Sequence, residues 1–140
     1  MMNPAPYLRE KIFTLLNGNV TYLGDPIPVY ENEGVNTERQ IIIGDYSDDS
    51  RGSKDAFGAT ASQVIEVVSE QHDAVRKHVD AIGDLVNNIL MPDPGSNTLS
   101  GADFLIVMKR PSINHITEGS GSGKRIVRLI LRYNLLISHN

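Results

Sequence analysis

Residues 117–125 read TEGSGSGKR, and Gly119, Gly121, Gly123 and Lys124 are the residue types of a phosphate cradle. A P-loop requires Gly, four residues, then Gly-Lys-Ser/Thr between a strand and a helix. Here Gly119 and Gly123 enclose three residues, and Arg125 stands where the Mg²⁺-binding hydroxyl belongs. The stretch that follows has the pattern of a strand, so no helix N-terminus would face a phosphate. The glycines and serines are better suited to a pliable connection between two strands.

Other chemistry fails on spacing. Of the four histidines, His72 and His78 are six residues apart, which places them about 120° apart around a helix. They make a poor metal pair, His115 stands isolated, and His139 lies in the tail. Asp45, Ser47, Asp48 and Asp49 have the flavour of a calcium loop, yet the positions for its Gly and Glu hold Ser50 and Ala56. Serines abound, but none sits in Gly-x-Ser-x-Gly between a strand and a helix. There is no cysteine, which excludes disulfides, thiolate catalysis and Cys-based metal sites. The expectation is a chain that is not an enzyme and takes no cofactor or metal.

The elements that would position these residues follow from periodicity. Leu8, Ile12, Leu15 and Leu16 fall on one face of a helix over 6–17, with Pro4 or Pro6 in its first turn and Gly18 as its stop. Pro26 and Pro28 disfavour a helix and a central strand, so a short edge-like strand is expected around Ile27–Glu31, followed by a second strand whose buried run is Ile41–Ile43. Residues 45–58, DYSDDSRGSKDAFG, are polar and mixed in charge, and predict a long exposed loop. Val64, Ile65, Val67 and Val68 predict a strand covered on both faces. A helix then runs to Pro92 on Val75, Val79, Ile82, Val86 and Ile89, with Ser69 as its cap and Glu70 and Asp73 in its first turn. Residues 102–118 form one strand, or two around a kink at Pro111.

The clearest signal is at the end. Val127, Leu129, Leu131, Tyr133, Leu135 and Ile137 occupy every odd position, while Arg128, Arg132, Asn134 and Ser138 take even ones. Period two over eleven residues means a long strand with one buried face. Arg125, Arg128 and Arg132 also fit one helix face, but the apolar set does not. The predicted class is α+β: a single domain over 1–140, with an antiparallel or mixed sheet and two helices packed on one face.

The totals agree with one domain of 140 residues. The start, MMNPAPYLRE, lacks the basic-then-apolar layout of a signal peptide, so a cytoplasmic location is expected. No apolar run reaches the ~18 residues of a membrane span. Net charge is −4, unlike a dedicated nucleic-acid binder. The charge is divided: residues 1–103 hold 7 basic and 16 acidic side chains, and residues 104–140 hold 6 basic and 1 acidic. An acidic body with a basic end can pair with copies of itself.

The succession LREKIFTLLNG, PIPVYEN, RQIIIGDYS, SQVIEVVSE, AVRKHVDAIGDLVNNIL and KRIVRLILRYNLLIS covers nearly the whole chain. In element order and hydrophobic pattern it resembles the tail-completion, or tail-terminator, proteins of long-tailed bacteriophages. The resemblance implies a virion protein, made in the host cytoplasm, that forms a homo-oligomeric ring, a hexamer, at the head–tail junction. Its partners would be itself, the tail tube protein and the head–tail connector proteins, with DNA passing through the ring unread and no membrane. The alternatives are a related connector or neck (head-completion) protein and a soluble small-molecule-binding module. On this reading Asp48, Asp49, Arg51, Lys54 and Lys124 belong to docking loops, and Arg125, Arg128 and Arg132 are interface cations.

Overall fold

In a computed structural model, residues 3–31, 39–50, 58–71, 76–93, 97–119 and 125–139 are described. The first helix, α1 (Pro4–Leu16), begins where Asn3 Oδ1 accepts from the Ala5 N–H at 3.0 Å, with Pro4 pre-setting the first turn. It ends at Asn17, and Gly18 follows with φ +78°, a left-handed conformation that glycine adopts without strain. Leu8, Ile12 and Leu16 are buried, and Leu15 packs beside them, as the spacing predicts.

A two-stranded ribbon of β1 (Thr21–Tyr22) and β2 (Asp25–Pro26) leads to β3 (Val29–Glu31). The remaining strands are β4 (Arg39–Ser50), β5 (Gly58–Gln71), β6 (Phe104–Met108), β7 (Ser112–Gly119) and β8 (Arg125–His139). The second helix, α2 (Arg76–Leu90), lies between β5 and β6. The large sheet runs β3-β4-β5-β8, with β6 and β7 end to end along the far side of β8. Among the described residues only β3–β4 is parallel, and every other neighbouring pair is antiparallel. The break between β6 and β7 falls at Lys109–Pro111, where proline cannot donate to a ladder.

Both helices cover one face of the sheet. α1 and α2 bury Leu8, Ile12, Leu16, Val79, Ile82, Val86 and Leu90 against Ile41, Ile43, Ile65, Val67 and the odd positions of β8. Tyr133 is the largest of these buried side chains. Along β8 the alternation is complete: Val127 to Ile137 are buried at odd positions, while Arg132, Asn134, Leu136 and Ser138 are exposed. β5 is covered on both faces, since Val64 and Val68 are buried opposite Ile65 and Val67. In α2, Gly83 faces β8, and a Cβ there would meet the Leu129 side chain. A mid-helix glycine costs roughly 1 kcal/mol against alanine; here it lets helix and sheet approach closely.

Three expectations are corrected. Residues 45–50 are not loop: β4 continues through them, pairing Tyr46–Ser50 with Gln63–Ala59 of β5. Ser69 does not cap a helix, nor does Glu70 lie in a first turn. Both belong to β5, where Ser69 pairs with Arg39 and Val127, and α2 starts at Arg76. Long-range pairing outweighs the local capping pattern. Val75 and Asp73 lie outside the described residues. His139 is no loose tail, since its backbone pairs with Phe104 at the end of β8.

Candidate assembly surfaces

The continuation of β4 depends on a bulge. Ile43 opposes Ile65 and Tyr46 opposes Gln63, so Gly44 and Asp45 together face Val64. Gly44 suits this place, because a Cβ there would press on Val64. Gln63, almost fully buried, holds the bulge with its side-chain amide: Nε2 donates to the Gly44 carbonyl at 3.0 Å and the Val64 carbonyl at 2.9 Å. Beyond the bulge the facing changes. Tyr46 and Asp48 now share the helix-covered side with Ala61 and Gln63, while Ser47 and Asp49 share the open face. The Tyr46 hydroxyl donates to Asp48 Oδ2 at 2.8 Å, and Ser47 and Ser62 hydroxyls meet at 3.0 Å. Burial first, then the Asp48 hydrogen bond and charge, push the Tyr46 phenol well above its ordinary range. This end of β4 is an acidic strip carrying Asp45, Asp48 and Asp49.

The opposite side of the sheet is basic. On the open face the Arg128 guanidinium donates from Nε to Glu118 Oε1 at 3.0 Å and lies 3.9 Å from Glu66 Oε1. Arg128 is thus held inside the subunit by two carboxylates. Arg132, on the same face, is exposed and forms no ion pair among the described residues. Arg125 is also exposed, but by strand alternation it belongs to the other face. The three arginines therefore do not form one cluster. Arg51, Lys54 and Lys124 lie outside the described residues. The TEGSGSGKR stretch joins β7, ending at Gly119, to β8, starting at Arg125, so a strand follows the glycines as the pattern predicts.

Between α2 and β7 runs a groove of about 500 Å³. Leu129 and Leu131 form its floor, Asp80 and Asp84 one wall, and Arg110 and His115 the other. His115 is not isolated: its Nε2 lies 2.6 Å from Asp80 Oδ1 and ties the strand to the helix. The Tyr133 hydroxyl donates to Asn87 Oδ1 at 2.9 Å, and burial pushes its phenol well up. His78 binds the Tyr22 hydroxyl at 2.8 Å, beneath an Arg39 guanidinium that stacks 5.3 Å from the Tyr22 ring centre. His72 lies outside the described residues. The Asp80–His115, Tyr133–Asn87 and Tyr22–His78 pairs each hold two elements together.

The sheet's margins differ in how they end. Among the described residues β3 covers β4 only at Ile41–Ile43. Along β6, Ser100 caps the outer edge, accepting from the Ile106 N–H at 2.8 Å and donating to the Ile106 carbonyl at 3.3 Å. Among the described residues no strand pairs the outer edge of Tyr46–Ser50 or of Ser112–Gly119. The side chains of β7 are nearly all exposed, Ile113 at 62% and Ile116 at 39%. The Gln63 clamp, the Asp80–His115 tie and the Ser100 cap carried no sequence signal beyond polar residues near apolar runs.

No family model matches the chain, and no curated protein does. Among solved structures, a chain from the virion of a native gene transfer agent (GTA) particle has a similar fold. The TM-score is 0.52 at 14% identity, over 94% of this chain and 91% of that one.

Proposed function

We propose that this chain is a structural virion protein of a phage or phage-derived particle, acting at the head–tail junction. In this reading it forms a ring that ends tail-tube growth and docks to the head connector. The observation that carries the reading is a fold shared nearly end to end with a chain of a gene transfer agent virion. Element order and the tail-terminator resemblance of the sequence supply the position within the particle. The surfaces are compatible. A ring needs one surface to meet a different one on the next copy. This subunit presents an acidic strip on β4 and exposed basic residues around β7 and β8. Its net charge of −4 disfavours adhesion to DNA passing through a channel. Its polar groups are arranged as structural ties rather than as a nucleophile with a base.

Imaging of assembled particles tests the reading. The expected density is a ring of this chain between head and tail tube. A ring within the head connector itself would favour the neck protein reading, and absence from the particle would overturn both. A second measurement uses Arg132→Glu with Arg128→Glu. Arg132 is the exposed cation, so the pair should leave tails and heads unjoined; normal particle yield would count against an interface role for these arginines.

A further inference from the structure

Among the described residues, the margins of β4 and β7 that no strand pairs lie at diagonal corners of the sheet, and their chemistry is complementary. Tyr46–Ser50 sits, across β5, level with Tyr133–Ile137 of β8. β7 sits level with Arg125–Arg132. One margin carries Asp48 and Asp49; the other is flanked by Arg110 and Arg132 and carries His115, which is tied to Asp80, while its one carboxylate, Glu118, is neutralised by Arg128. Unpaired strand margins invite another chain. Here β3 and Ser100 guard the remaining stretches on either side.

We infer that β7 of one copy pairs with the Tyr46–Ser50 margin of the next, so that the sheet continues from subunit to subunit around the ring. The inference rests on the ring reading above and supplies its contact. Strand sense fits. β4 runs parallel to β8 through two antiparallel pairings, and β7 runs antiparallel to β8. A neighbour related by rotation therefore presents its β4 antiparallel to β7. Centring the two margins sets Asp48 opposite His115 and Asp49 opposite Asn114. That register puts like faces together: Asp48, Arg110 and His115 on the helix side, Asp49 and Arg132 on the open face. Two acidic β4 margins would repel each other, which selects the unlike pairing.

The diagonal also fits a closed ring. From Asp48, level with Leu135, to His115, level with Leu129, the step is six residues of β8, or ~20 Å at ~3.3 Å per residue. Four strands, β4, β5, β8 and β7, span ~19 Å at ~4.8 Å each. Copies that repeat this step at one height must tilt their strands by ~45°, close to the 35–45° typical of closed barrels. β5, α2 and β6 form a parallel crossover, and such units are right-handed. With that hand, the tilt is the one strand twist gives a barrel whose helices lie outside. The open face, with Arg132, Asn134, Ser138 and Asp49, then lines the channel.

The chain has no cysteine, so engineered disulfides report without background. Opposed strand residues lie ~4.5–5.5 Å apart between Cα atoms, within disulfide reach. Asp49→Cys with Asn114→Cys, oxidised in assembled particles, should give a covalent ladder that ends at the ring number. Asp49→Cys with Ile113→Cys, which points to opposite faces, should give none. Asp49→Arg alone should cut ladder formation from an Asp48→Cys, His115→Cys background by about tenfold, and adding Arg132→Asp should restore it. A ring seen by imaging without the ladder overturns this contact and leaves the ring reading intact. Absence of any ring overturns both.

Discussion

The two margins of the sheet, each half covered and half bare, are solved in different ways. At β6 the polypeptide guards its own edge: a single hydroxyl, Ser100, satisfies both outward groups of Ile106. Next to it, β7 has eight residues and no such guard among the described residues. On the far side, β3 shields Ile41–Ile43, and among the described residues no strand covers Tyr46–Ser50, which ends in charge. The proline pair Pro26 and Pro28 precedes β3 and limits its pairing at the Arg39–Gln40 end of β4, away from Tyr46–Ser50. Margins meant to stay single are thus capped by side chains or proline. The β4 corner is acidic and polar on both faces, while β7 exposes Ile113 and Ile116 and is flanked by Arg110 and Arg132. The difference separates protection from recognition, and each corner can be altered without touching the core.

The largest effect is expected at Gln63, which alone holds the β4 bulge. Gln63→Leu keeps volume but removes the donor to two carbonyls. Buried acceptors left without partners cost roughly 1–3 kcal/mol, so the urea midpoint should fall accordingly. Amide exchange should accelerate in Tyr46–Ser50 and remain slow in β6. Equal loosening of both would mean that the acidic corner is not a separate unit.

Ser100→Ala converts a guarded margin into a bare one. Stability should drop by about 1 kcal/mol, and the Ile106 amide should exchange faster. Dimers formed through β6 are expected at high concentration, whereas the parent protein should not form them there. If Ser100→Ala self-associates no more than the parent, the hydroxyl is only a local tie.

A smaller effect lies in the turn before β6. Gly101 and Phe104 exchange both backbone hydrogen bonds, and Ala102 and Asp103 between them have φ of 49° and 69°. Two positive φ values in a two-residue connection define a primed turn, which favours Asn or Gly. Ala102→Gly should therefore raise stability by about 0.5–1 kcal/mol, seen as a higher thermal midpoint. Gly101→Ala should do the opposite, because its Cβ would run into the Tyr7 hydroxyl that holds the Leu99 carbonyl.

These corners also mark where the sequence is readable. The α1 stripe and the period of two in β8 were legible because burial on one face repeats at a fixed interval. The strand that follows the glycine stretch was legible for the same reason. Tyr46–Ser50 was not. Past the bulge, among the described residues, Tyr46 alone packs against the core and the side chains after it are polar on both faces, so no alternation survives. Only pairing with Ala59–Gln63 makes it a strand. The start of α2 misled in the opposite way, because Ser69 followed by acidic residues imitates a cap, while β5 continues to Gln71. The Asp80–His115 tie joins residues 35 apart, and a single sequence holds no trace of such a pairing.

The finest test of the acidic corner is its alkaline behaviour. Tyr46 and Tyr133 both have phenols raised above the ordinary value near 10. A raised value means that the folded state holds its proton more tightly than the unfolded state. Their contribution to stability is therefore full below about pH 10 and is lost as pH rises past it. The causes differ. Tyr133 is raised by burial alone, whereas Tyr46 is raised by burial and then by Asp48. Asp48→Asn should shift the Tyr46 step part of the way down, because burial remains, and leave Tyr133 in place. Ultraviolet titration of tyrosinate, with Tyr46→Phe as the subtraction, reads the two separately. A ring closed through β7 should bury Tyr46 further and push its step still higher in assembled particles than in free subunits. An unmoved step on assembly would mean that the β4 corner stays open to solvent and that the contact between copies lies elsewhere.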